Sequence, residues 1–243
     1  MKFKQVIALS ALSVAFTANA DTLSVSAGGG SWSESPSGNI QDTIDPADVD
    51  VMDQLFWDDE SQGYYFVTLE HPVPILPNVR LMHTSLDQSG SGNASFVFDG
   101  VAFSGNVSND FSIETTDIIA YYEVLDNVVS LDLGLNIRSL DIDYTITGGG
   151  ESTSDSFSET VPMLYAMVGT SPWPGLTISG ELSYIGYSGS SYSDFTAKIA
   201  YTTDFFVGVE AGYRSQSIEL DDVSDTDANL DFDGMFVGAY LKF

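Results

Sequence analysis

The chain closes with Gly234, Met235, Phe236, Val237, Gly238, Ala239, Tyr240, Leu241, Lys242 and Phe243, a run that alternates in character and stops on an aromatic residue. The last residues of soluble domains usually fray, so a strand carried to the final residue needs a partner. A closed barrel supplies one, because its last strand must pair with its first. Such a barrel demands an export signal, an even set of strands and an apolar outer face.

The export signal is legible. Lys2 and Lys4 precede an apolar stretch over 6–16, and Ala18, Asn19 and Ala20 form a small-x-small cleavage site, the pattern of a secretory signal peptide. A signal peptide is therefore expected over 1–20 and one domain over 21–243. The apolar stretch is shorter than the ~20 residues of a spanning helix, and no other stretch is long and apolar enough to be one. The sequence has no cysteine, which removes disulfides, thiol catalysis and thiolate metal sites.

Charge narrows the function classes. Without Lys2 and Lys4, five bases (Arg80, Arg138, Lys198, Arg214 and Lys242) face 35 acids, a formal charge of −30. Nucleic-acid binding rests on cationic neutralisation of phosphate and is excluded as a partner class. A compact soluble globule would suffer self-repulsion. Nine acids and no base fall in 34–60, and seven acids and no base in 219–233. Water-exposed loops beside a cation-bridged lipopolysaccharide surface suit such runs.

Period-two alternation broken by Gly, Asn, Asp, Ser and Pro marks ten strands: 22–32, 62–71, 78–87, 111–125, 128–145, 157–169, 175–187, 191–202, 205–219 and 229–243. Short connections at 71–77, 126–127, 171–175 and 203–204 alternate with longer ones at 33–61, 88–110, 146–156 and 220–228; the short 188–190 breaks the pattern. That is the plan of an antiparallel up-and-down transmembrane barrel with short periplasmic turns and longer acidic extracellular loops. An eight-stranded barrel with 96–103 as an added hairpin arm is the alternative. Residues 46–57 could form a short loop helix opened by Pro46, grouping Val49, Met52 and Phe56.

The strands carry two faces. Val207, Val209, Ala211 and Tyr213 oppose Gly208, Glu210, Gly212, Arg214 and Gln216; Leu131, Leu133, Leu135 and Ile137 oppose Asp132, Gly134, Asn136 and Arg138. With the apolar face towards lipid, the polar faces line a narrow lumen, where charges need partners. The expected lumen network is Glu70, Arg80, Glu123, Asp132, Arg138, Glu181, Lys198, Glu210 and Arg214, with Glu210 and Arg214 as one pair. After Ser139 the parity changes: Leu140, Ile142 and Tyr144 oppose Asp141 and Asp143. Either a bulge re-aims the side chains or the strand has left the membrane. Tyr64, Tyr65, Tyr121, Tyr122, Tyr184, Tyr187, Tyr192, Tyr201, Tyr240 and Trp173 fall near strand ends, as interfacial girdles would.

Gly238, Leu241 and Phe243 resemble the assembly signal of outer-membrane barrels. With Gly28, Gly29 and Gly30 on the first strand and the signal peptide, the mature chain resembles the small Gly-Gly outer-membrane β-barrel proteins of Gram-negative bacteria, a family without an assigned activity. It is more distantly similar to OmpW-type barrels. The resemblance implies the cell outer membrane as location, the barrel-assembly machinery as a partner during biogenesis, and outer-membrane lipids and lipopolysaccharide as surroundings, with a monomer favoured.

Chemistry is sparse. His71 lies in a Pro-rich turn. His83 and Ser85 share a strand face, but a nucleophilic site also needs an orienting acid and an oxyanion donor. Asp45, Asp48 and Asp50, and likewise Asp221, Asp222, Asp225 and Asp227, could bind calcium or magnesium weakly; their spacing lacks the Gly and terminal Glu of an EF-hand. No cofactor is expected and no enzymatic constellation stands out. Three functions are carried forward. The first is a narrow channel or lateral portal transporting small uncharged or apolar molecules. The second is a structural or surface-interaction barrel whose acidic loops 33–61 and 88–110 bind cations or lipopolysaccharide. The third is a lipid-modifying enzyme.

Overall fold

The computed structural model describes residues 23–223 and 225–243; the expected signal peptide lies outside the described residues. All regular structure there is strand: β1 (Ser24–Asp42), β2 (Val49–Asp50), β3 (Glu60–Glu70), β4 (Asn78–Ser85), β5 (Gln88–Phe98), β6 (Val101–Asp126), β7 (Ser130–Gly148), β8 (Glu151–Trp173), β9 (Leu176–Tyr187), β10 (Ser190–Thr202), β11 (Val207–Val223) and β12 (Thr226–Lys242). β4 and β5 pair with the lower and upper parts of β6, so together they form one stave interrupted at Leu86 and Asp87. β2 only patches β1. The result is a closed antiparallel ten-stranded barrel, sealed where β12 pairs with β1 from Lys242 opposite Ser26 to Thr226 opposite Asp42.

The terminal residue takes part in the closure. Phe243 and Val25 exchange both backbone hydrogen bonds, at 2.8 and 2.9 Å, and the Phe243 ring stacks on Phe206 with centroids 5.9 Å apart. Glycines let the seam close around two aromatic rings. A Cβ on Gly30 would lie 2.7 Å from the Tyr64 hydroxyl, and one on Gly28 would lie 2.5 Å from the Tyr240 Cβ.

The lower barrel is inverted relative to a soluble protein. Leu133, Leu135, Ile137, Val209, Val237 and Leu164 face outward and are exposed, whereas Asp132, Asn136, Arg138, Glu210 and Arg214 face inward and are buried. From Val129, just ahead of β7, to Ile137 within it, this belt runs about 27 Å along the chain and about 20 Å after a barrel tilt. Tyr65, Tyr184 and Tyr213 lie outward towards its extracellular side, and Tyr122, Tyr201, Trp173 and Phe206 towards its periplasmic side. The girdle reading needs correcting at Tyr64, Tyr121 and Tyr192, which are buried inside the barrel. Tyr240 also turns inward, where its hydroxyl meets Thr202 Oγ1 at 2.7 Å. Adjacent residues on a strand take opposite faces, so one tyrosine of each Tyr-Tyr pair must turn in.

Above the belt the sides exchange character. β7 keeps its register against β6 and β8 through Ser139 and on to Gly148, so no bulge occurs there. Leu140 and Ile146 stay on the inner face with Arg138 and are buried, while Asp141 and Asp143 stay outside and exposed. The strand has left the membrane, and what changes is the solvent on each side. The extracellular head is a water-facing barrel around an apolar core of Phe111, Ile113, Leu140, Ile146, Ile218, Leu230 and Phe232.

Most of the expected long loops are strand. Two-residue turns cap three of the hairpins, at Asp99-Gly100, Gly149-Gly150 and Ser188-Gly189, every one of these residues having a φ between +53° and +94°, as the primed turns of hairpins require. Residues 88–110 are thus the tip of a hairpin rather than a loop. The real loop is 43–59, and it holds no helix. Val49, Val51, Leu55 and Trp57 are buried in the barrel mouth while Met52 is exposed, so its apolar residues do not follow helical spacing.

Candidate functional site

Two charged layers cross the lower lumen. The upper one is built on Arg138 and Arg214. Register places Asp117 of β6 directly opposite Arg138 of β7. Arg138 donates to Asp117 from Nε (2.7 Å) and Nη2 (2.9 Å), and Nη2 also reaches Asp194 Oδ2 at 2.5 Å. Arg214 holds Asp194 in the same bidentate way, at 3.0 and 2.7 Å, and donates to Thr84 Oγ1 at 3.0 Å. Asn136 donates to Asp117, and Gln216 to Asp194. Each guanidinium also lies 4.8 Å from a ring centroid, Arg138 over Tyr192 and Arg214 over Trp32, an attraction that strengthens where water is excluded. All four charged residues are buried. Two cations and two anions cancel, which is the condition for carrying charge in a dry interior.

The second layer lies towards the periplasm. Arg80 Nη1 and Lys198 Nζ hold the two oxygens of Glu181, at 2.5 and 2.8 Å. Lys198 lies 3.7 Å from Glu210, which accepts the Tyr64 hydroxyl at 2.7 Å. Glu210 and Arg214 were expected to pair; instead Arg214 serves Asp194 and Glu210 serves Tyr64 and Lys198. Both groups lie on the inner face, but other strands offer each a nearer partner, Asp194 and Lys198 on neighbouring β10 and Tyr64 on β3. Nearer the periplasmic end, Glu70 accepts from Tyr121 (3.2 Å) and Lys242 (3.5 Å), Glu123 accepts from Asn78 (3.3 Å), and Asp132 is buried.

Asp117 and Asp194 carry the upper layer and were missing from the expected network. Asp194 did show a signal, alternating with Thr196 and Lys198 on the polar face of its strand. Asp117 meets Arg138 only because of a register shift between Glu123 and Leu125. Little space remains between the side chains. Cavities of about 50 Å³ beside Trp32, Tyr64 and Lys198 and about 30 Å³ beside Asn136 and Ser183 are the size of one or a few waters.

Above these layers the apolar core and the 43–59 loop fill the barrel. Trp57 Nε1 donates to Asn109 Oδ1 at 2.9 Å, and Asn109 Nδ2 donates to the Leu55 carbonyl at 2.6 Å. Glu34 is fully buried below the loop, accepting from Gln88 Nε2 at 2.5 Å. The outward residues at its level, Ser33, Ser35, Ser61 and Asp233, place it above the apolar belt. Burial pushes its carboxyl up to about 8; Gln62 and Gln88 oppose the rise, and Glu60 and Asp59 add to it.

The loop acids serve local structure. Asp45 accepts from the Gly100 amide, Asp48 from Asn39, and Asp50 caps the amides of Met52 and Asp53. Among the described residues no three acidic or histidine side chains gather as a metal ion would need. His71 bridges its own turn, meeting the Pro77 carbonyl at 3.1 Å. His83 faces outward at the rim of the belt. Its Nε2 lies 2.7 Å from Glu114, and Ser85 donates to that same carboxylate. The acid therefore stands between hydroxyl and imidazole, an order that does not aim the imidazole at the serine proton.

Neither a family model nor a curated protein sequence matches the chain. Among solved structures it is similar to the outer-membrane protease OmpT of Escherichia coli, with a TM-score of 0.53 and 11% identity over 93% of this chain and 98% of that one. The attachment invasion locus protein Ail of Yersinia pestis (TM-score 0.40, 11% identity, 92% and 100% covered) and Neisserial surface protein A (0.35, 14%, 91% and 97%) are further matches. At such identities the likeness is one of fold. That fold and the apolar belt together place the chain in an outer membrane.

Proposed function

We propose that this is a closed outer-membrane barrel that acts through what its extracellular head contacts and not through what crosses its lumen. The observation that carries this reading is the seal formed by Arg138, Asp117, Asp194 and Arg214 across the lower barrel, with an apolar core stacked above it. A passage for small uncharged or apolar molecules would need space that cavities of about 50 and 30 Å³ do not offer. Acids without bases on the head suit cation-bridged contact with lipopolysaccharide. The Gly-Gly resemblance is kept on the same footing: Gly28 and Gly30 close the seam, and Gly238, Leu241 and Phe243 are read as the signal for the assembly machinery. Swelling of vesicles carrying the refolded protein tests the reading. No swelling in small sugars or apolar solutes is expected; solute-dependent swelling would overturn it.

A further inference from the structure

We propose that the free upper edge of β8 docks an extended, Lys- or Arg-rich segment of another protein, which joins the sheet as an added strand. This rests on the reading that the head is the working part of the molecule.

β8 pairs with β7 along its whole length, to Glu151 opposite Gly148, but pairs with β9 only from Leu164 opposite Tyr184 downward. The β9–β10 hairpin turns back at Ser188 and Gly189, leaving residues 151–163 of β8 with one partner among the described residues. Pro162 accounts for where the pairing stops, since proline has no N–H to give a neighbouring strand. It also sets the phase. Residues of an antiparallel strand alternately turn their amide and carbonyl to one neighbour and then the other. Pro162 fits the phase that points away from β7. Ser156 is in the same phase, and its N–H donates to the Asp155 carboxylate at 2.8 Å. Ser154, Ser156, Ser158 and Thr160 therefore present their backbone groups to the open side.

Natural proteins usually blunt such an edge with lysine, proline or a covering segment. Above Pro162 the outward side chains of this edge are small hydroxyls, all exposed. On its inner side, Phe157 and Val161 are only partly buried, as are Ile142, Tyr144, Ile185 and Leu220 around the barrel mouth. Alternate apolar side chains of an incoming strand would cover this row, while its main chain takes up the free amides and carbonyls.

Charge selects the occupant. Asp155 and Glu159 lie exposed on the edge strand, on the same face as Phe157 and Val161, and Asp141 and Asp143 lie exposed on the outer face of its neighbour. All five described Lys and Arg residues lie in the belt or at the periplasmic end. A second copy of this chain would set acid against acid across the new pair, which is destabilising. A strand that turns apolar residues inward over Phe157 and Val161 and basic residues outward, on the side of Asp141 and Asp143, meets both demands, and Asp155 and Glu159 add to the negative field that draws it in.

The test uses the whole barrel refolded in detergent micelles and a fluorescent dodecapeptide of alternating Lys and Val. Saturable binding is expected, undetectable for the Glu-Val counterpart. Two half-N-methylated Lys-Val peptides, blocked on the Lys or on the Val amides, should differ: one loses about tenfold in affinity and the other is unaffected. Ser156→Pro removes an edge amide without touching β7 and should weaken binding to a similar degree. Failure of the Lys-Val peptide to bind, equal binding of both methylated isomers, or unchanged binding to Ser156→Pro would overturn the proposal. If that variant does not fold, the methylated peptides decide on the unaltered protein. Vesicles that stay impermeable while the peptide fails to bind would sink the edge site and leave the closed barrel standing.

Discussion

Asp117 and Arg138 stand directly opposite one another on β6 and β7, joined by hydrogen bonds of 2.7 and 2.9 Å in a lumen where both are almost completely buried. Removing one partner leaves the layer of two cations and two anions with one uncompensated buried charge. Asp117→Asn or Arg138→Met is expected to cost about 3–5 kcal/mol, whereas exchanging both for apolar residues of similar volume costs much less. Guanidinium unfolding of the lipid-reconstituted barrel, followed by tryptophan fluorescence, measures the single and double variants.

This pair also shows how far the sequence could be read. The hairpin turns through residues 127–129, and pairing carried on without interruption from Asp126 opposite Ser130 would set Asp117 against Ser139. The irregularity between Glu123 and Leu125 shifts the register by one and brings Arg138 into place. A side-chain pattern with period two reports which face a residue takes, and Arg138 is legible as inward on that ground. It does not report which residue lies across the gap.

The spanning strands were legible because lipid imposes one rule on every outward position. The head was not, because its rule is reversed. Leu140, Ile142 and Tyr144 read as a break in parity although the backbone runs on unchanged. Residues 88–95 read as loop because Ser89, Gly90, Ser91 and Gly92 carry no apolar alternation. There the backbone pairs with β6, and Gly90 and Gly92 leave room for Phe56 and the Leu55 carbonyl.

The loop over 43–59 is held from one side by Asn109. In Asn109→Leu, the Trp57 indole N–H and the Leu55 carbonyl lose their partner, at about 1–3 kcal/mol for each buried group. Hydrogen exchange should speed up across 49–57 while amides of β7 keep their protection. Equal acceleration in both would indicate global loosening instead.

Glu34 makes the head sensitive to pH. Its folded carboxyl titrates near 8, above the ~4.3 of an unfolded chain, so the folded state holds the proton more tightly. Its contribution is complete below about pH 4 and is lost as pH rises through about 8. Stability should therefore fall on the order of 2–4 kcal/mol between about pH 5 and pH 9. Glu34→Gln, which stays neutral, should flatten that slope in unfolding curves recorded across the range.

Gly238 leaves room for the Tyr64 hydroxyl that Glu210 accepts. Gly238→Val should push Tyr64 aside and lower stability by about 1–3 kcal/mol, the range for overpacking. Tyr64→Phe should partly relieve the variant. Heat-modifiability on gels and unfolding midpoints report both.

Ion conductance of the unaltered protein in planar bilayers tests the closed lumen most directly. The layers built on Arg138 and Arg214 should hold the current at the bilayer baseline, without unitary steps, across the voltage range the membrane tolerates. Reproducible unitary steps whose ion selectivity changes in Arg138→Met would contradict the account.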